Sequence, residues 1–155
     1  MSTATVQRWE VRSRRGWAGT SLLVVLLLVA ANAVYGGIGL LVSGMGMPEE
    51  WLEPLPVDTW TLPGVALLLT VALPQLVAAW LVWTHHRWAA LAGVLAGVGL
   101  VLWIGAQLLL LQRYFFLQPV IAGLGLAEVV FGWAWWRREG RPEPVRQAVR
   151  PTASR

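Results

Sequence analysis

The chain has no cysteine and no lysine. The first absence removes disulfides, thiolate metal sites and cysteine nucleophiles. The second removes a Schiff-base amine, because all twelve basic residues are arginine. Charge is scarce too: 13% of the 155 residues are charged, against roughly 25% in soluble domains. Apolar residues reach 57%, and the mean hydropathy is +0.60. So little polar surface cannot clothe a soluble globule, and so much apolar surface excludes a disordered chain. No HExxH, phosphate-cradling loop or Ser–His–acid set occurs, and nothing implies a cofactor. An enzyme would have few catalytic groups to use.

What is present is hydrocarbon-length runs. Four of them, at residues 17–42, 61–84, 88–111 and 115–136, hold one charge between them, Glu128. A helix of ~24 residues reaches about 36 Å, enough to cross a core of about 30 Å with some tilt. The links between later spans, His85–Arg87 and Gln112–Tyr114, are short and force neighbouring helices to run antiparallel. The expected fold is all-α, a polytopic membrane protein with an antiparallel four-helix transmembrane bundle over residues 17–136. Residues 1–16 and 137–155 form polar, arginine-rich tails. Ser13-Arg14-Arg15-Gly16-Trp17 followed by Ala31-Asn32-Ala33 also matches a twin-arginine signal with a cleavage site. The apolar run continues past it to Val42, so a retained helix is expected.

Arginine placement sets the orientation. Eleven of the twelve flank the bundle on one side and only Arg113 lies on the other, so both termini are expected in the cytoplasm. A pI near 11 then reflects attraction to anionic lipid headgroups, with no nucleic acid implied. Trp17, Trp83, Trp88, Trp135 and Trp136 would mark the inner interface, and Trp51 and Trp60 the outer one. The first loop holds Glu49, Glu50, Glu53 and Asp58 without a basic residue. Within it, Met47 to Pro54 reads as a short interfacial helix, with Pro48 at its first position, acids in its first turn and Pro54 as its stop. Trp51, Leu52 and Leu55 would dip into the headgroups. The loop has neither an EF-hand pattern nor the glycine of a tight metal loop, so no metal site is expected.

Polar groups inside the spans carry the functional expectations, because charge in hydrocarbon costs about 2.5–3.5 kcal/mol even on lenient scales. Helix rise puts Glu128 about 14–20 Å below the outer face and Gln75 at about 21 Å. Pro74 removes a backbone donor and frees the Thr70 carbonyl. Thr70, Pro74, Gln75 and Glu128 therefore form one candidate intramembrane polar cluster. It is a protonated acid bonded to Gln75 or a backbone carbonyl, a proton- or cation-handling site, or a lipid-headgroup or ligand contact. Toward the outer side, Asn32, Tyr35, Trp103, Gln107 and Gln118 form a second candidate, lining a cavity for a small amphiphile. Interhelical hydrogen bonding explains the amides equally well. His85, His86 and Arg87 are placed for headgroup contact. Gly93 and Gly97 make a GxxxG, serving either packing within the bundle or contact between protomers.

Gly36-Gly37-Ile38-Gly39-Leu40, Gly46-Met47-Pro48, Trp51-Leu52, Trp60-Thr61-Leu62-Pro63-Gly64, Trp103-Ile104-Gly105-Ala106-Gln107 and Leu117-Gln118-Pro119 stand out as motifs. Over about residues 30–125 they resemble a group of small, uncharacterised four-span bacterial integral membrane proteins. The resemblance implies four spans in a bacterial plasma membrane and carries no activity. The leading functional expectation is a non-enzymatic membrane protein that binds a small amphiphile or serves as an accessory subunit. A homo-oligomer or a membrane protein partner is open. A proton-coupled carrier or oligomeric channel using Glu128 is one alternative, and a lipid-headgroup-modifying enzyme using His85, His86 and Arg87 is another.

Overall fold

The computed structural model describes residues 16–53, 56–111, 114 and 116–139, so residues 1–15 and 140–155 of the tails, with Pro54, Leu55, Gln112, Arg113 and Phe115, lie outside the described residues, while residues 137–139, expected in the tail, continue α5. Helices α1 (Trp17–Ser43), α2 (Thr61–Leu67), α3 (Leu73–Trp83), α4 (Ala89–Leu111) and α5 (Leu117–Glu139) make an all-α helix bundle, with no strand among the described residues. The helical runs Trp17–Gly46, Thr61–Trp83, Ala89–Leu110 and Leu117–Arg138 are each long and apolar enough to cross a membrane.

Between α2 and α3 the chain forms a π-helical turn, Leu68–Ala72, in which the Leu73 N–H donates to the Leu68 carbonyl. The cause is Pro74, which has no N–H and whose ring crowds the carbonyl four residues back; the widened turn absorbs that mismatch. The expected kink is thus taken up by a change of helix type just before the proline. The Thr70 hydroxyl donates back to the Ala66 carbonyl at 2.6 Å.

Each helix buries one stripe. On α1 it runs through Leu22, Leu26, Val29, Ala33 and Gly37; on α4 through Ala89, Gly93, Ala96, Leu100 and Ile104; on α5 through Gln118, Gly125, Glu128 and Gly132. These spacings of three, four and seven residues follow the helical period. One core cluster joins Leu22 and Leu26 of α1 to Ala78, Ala79 and Val82 of α3 and to Ala89 and Ala96 of α4. The other gathers Val29, Ala33, Val71, Ala72 and Leu100.

The glycines settle what the GxxxG does. A Cβ on Gly97 would stand 2.5 Å from the Gly125 carbonyl oxygen and 2.9 Å from the Glu128 Cβ, and one on Gly132 would stand 2.9 Å from the Ala90 carbonyl oxygen. Gly93 faces the Leu22 side chain. Both GxxxG residues are therefore spent on packing inside the bundle, where small residues let backbones meet.

The loop between α1 and α2 is tighter than a membrane-lying helix. Gly44, Met45 and Gly46 all take positive φ, and a 3-10 turn spans Glu49–Leu52 with Pro48 as its N-cap. Leu52 is buried in the protein at 3% exposure, so it does not reach into headgroups. Trp60 is buried as well and its ring covers Gly44, where the absence of a Cβ makes room for the indole; it is a core residue of this end, and not an interface marker. At the other end Trp135 is half-buried and packs on Gly19, whereas Trp17, Trp83, Trp88 and Trp136 are exposed.

Gly97→Ala is expected to lower stability by about 1–3 kcal/mol through overpacking. Gly123→Ala, where a Cβ meets nothing within 4 Å, should be neutral or stabilising. Unfolding in detergent micelles measures both.

Candidate functional site

Gln75 and Glu128 come from helices packed across the bundle, 53 residues apart in sequence, and each lies on its helix's buried stripe. Gln75 is 1% exposed and Glu128 is fully buried. The Gln75 Nε2 donates to the Glu128 Oε2 at 2.9 Å. The remaining oxygens of the pair, Gln75 Oε1 and Glu128 Oε1, are buried with no donor. Gly97 makes room for this contact, since its missing side chain lets α4 approach the Glu128 Cβ.

Of the four residues expected in this cluster, the structure brings together two. Thr70 and Pro74 are exposed, on the side of the α2–α3 span away from Glu128, and the Thr70 hydroxyl is engaged by Ala66. Adjacent positions on a helix are turned by about 100°, so Pro74 beside a buried Gln75 faces outward.

The outer cavity is not assembled as expected. Asn32 and Tyr35 are exposed, off the Val29–Ala33–Gly37 stripe of α1, while Trp103 and Gln107 are half-buried on α4 and Gln118 is buried on α5. Trp103 packs against the outer core cluster, and its buried Nε1 has no hydrogen-bond partner. Tyr35 borders a groove of about 520 Å³ made by the end of α1 and the turn that follows it (Ile38, Gly39, Val42, Ser43 and Met45), which the other four do not line. Sharing a depth did not give these residues a shared face.

A different groove lies between two spans. It has about 320 Å³ and is lined by Leu23 and Leu27 of α1 and Leu76, Ala79, Trp80 and Trp83 of α3. All six are apolar, and Leu27, Leu76, Trp80 and Trp83 are exposed along it. Sequence reading missed it because nothing separates such residues from ordinary lipid-facing ones.

The His85–Arg87 segment is a helix-joining turn. The His86 N–H donates to the Leu81 carbonyl at 3.0 Å and the His85 N–H to the Val82 carbonyl at 3.3 Å, the paired bonds that close a helix C-terminus. His85 takes φ 53, a left-handed position that glycine favours. The His86 Nδ1 accepts from the Trp88 N–H at 3.3 Å, starting α4. His85 thus serves the turn through its backbone and His86 through its ring, and all three residues are exposed. The Arg87 guanidinium lies 5.1 Å over the Trp88 ring, Arg137 5.3 Å over Trp133 and Arg138 5.0 Å over Trp17. No group of metal-ligating side chains forms among the described residues.

No family model, curated protein or solved structure matches the chain.

Two outcomes follow for this region. Gln75→Leu should cost about 1–3 kcal/mol by leaving the acid without its donor, and Gln75→Leu with Glu128→Leu should recover most of that, as a double-mutant unfolding cycle would read. His85→Val should cost about 1–2 kcal/mol in the same assay while His85→Gly does not, since the left-handed position penalises a branched Cβ.

Proposed function

We propose that the protein is a non-enzymatic, multi-pass protein of a bacterial plasma membrane that binds a small amphiphile, alone or as an accessory subunit of a membrane complex. The observation that carries this reading is the groove between α1 and α3, an apolar slot of about 320 Å³ opening sideways at the height of the spans. Bilayer-facing slots of this kind admit molecules with a hydrocarbon tail, because tail and walls are alike apolar and shape decides what fits.

The antiparallel order of helices is part of the proposal. It is supported by Trp17, at the start of α1, meeting Phe131 near the end of α5 at 6.0 Å, and by Gly37 late in α1 meeting Gly64 early in α2. The cytoplasmic placement of the termini rests on charge. Arg87, Arg137 and Arg138 share an end with Trp17 and Trp83, while Glu49, Glu50, Glu53 and Asp58 belong to the loop at the other.

A second reading, a proton-coupled carrier or oligomeric channel, is favoured by one observation: a fully buried carboxyl with an unpaired oxygen in mid-span. Proton flux into liposomes that falls in Glu128→Gln would support it, and equal flux would remove it.

The groove is tested by thermal unfolding of the full chain in detergent with added monoacyl lipids. Ligand at ~100 times Kd adds about 2.7 kcal/mol, a rise of about 5–10 °C for a chain of this size. Leu27→Trp, which fills the slot from its rim, should abolish the rise, and Gln107→Leu with Gln118→Leu should leave it intact. The reverse pattern would return the site to the outer half of the bundle.

A further inference from the structure

We infer that the molecule seated between α1 and α3 is an anionic phospholipid, with one acyl chain in the slot and its phosphate on the Arg87 guanidinium. This rests on the amphiphile-binding reading and names the ligand class. The slot extends along α3 from Leu76 to Trp83, about 10 Å of helix, and every side chain lining it is apolar. Hydrocarbon therefore fills it, and any polar headgroup must sit beyond its end. That end is Trp83, the last residue of α3, from which the chain enters the turn that carries Arg87.

Arg87 is exposed and forms no ion pair with an acid among the described residues. Its guanidinium carbon lies 5.1 Å from the Trp88 ring centroid. A guanidinium carries five N–H donors in a planar fork that matches two phosphate oxygens, and contact with a ring face leaves that fork usable. The surroundings select the sign of the headgroup. The other described arginines, Arg137 and Arg138, stand at the same end of the bundle, stacked on Trp133 and Trp17 at the α5 side. The acids of the outer loop are at the far end. A lipid whose tail lies in the groove thus meets three described arginines at its head, Arg87, Arg137 and Arg138, against one described acid at this end, Glu139 at the last position of α5.

The test uses the full chain in mild detergent, with phosphatidylglycerol and phosphatidylcholine of matched chains added in turn, and native mass spectrometry to count retained lipid. Wild type is expected to retain phosphatidylglycerol about fivefold over phosphatidylcholine, the preference one basic residue near a headgroup gives. Arg87→Gln should bring the two lipids level while still retaining both, and Arg137→Gln should leave the preference in place. Inorganic phosphate at the same concentration should not displace the lipid, because it has no chain for the slot. An unchanged preference in Arg87→Gln would overturn the phosphate assignment while leaving the amphiphile site standing. Equal retention of both lipids by wild type would overturn the anionic class. Retention unaffected by Leu27→Trp would sink the groove itself, and with it the reading on which this inference rests.

Discussion

A carboxyl in mid-span has no water to turn to, so the bundle must be arranged around whatever satisfies it. Here that is the amide of Gln75, 2.9 Å away on the helix across the core. Both side chains are buried, and the contact fixes how α3 and α5 face one another more strictly than aliphatic packing would. Leucine on leucine tolerates small slips, whereas a hydrogen bond of this length does not. Gly97 completes the arrangement from a third helix by giving the Glu128 stem room.

The proline region illustrates how local chemistry feeds that contact. Pro74 immediately precedes Gln75, and its missing N–H is met by a π-helical turn. The backbone irregularity and the polar pair therefore occupy neighbouring residues of one span. The hydroxyl of Thr70, which sequence alone placed in the same cluster, instead holds the backbone of its own helix on the exposed side.

Much of this could be read from the sequence, and the reasons for the rest are physical. Span boundaries were legible because the change from oil to charge is abrupt: Trp17 begins α1 as expected, and α4 ends at Leu111. Gln75 with Glu128 was legible because helix rise fixes depth. Facing was not. A span that is apolar all round gives no hydrophobic stripe to orient it, so Asn32 and Tyr35 were placed by depth and turned out to lie on the wrong side of α1. Trp60 was misread for a related reason: tryptophan near a span end suits an interface, but it also suits a glycine-floored niche, and only the fold shows that Gly44 supplies one. The two histidines read as chemistry because nothing local in their identity announces a left-handed turn position, which His85 occupies in place of the usual glycine.

The bare backbone contacts between α4 and α5 have a mechanical side. Gly97 against the Gly125 carbonyl, and Gly132 against that of Ala90, weld these helices into a plank with almost no side-chain padding. Close-packed backbone leaves little room for one rod to slide past the other, so slippage between this pair is sterically opposed. The seam of α1 with α3 is cushioned by leucine and tryptophan instead, and any widening of the bundle falls there. A molecule lodged in that seam works as a shim and sets the girth of the whole.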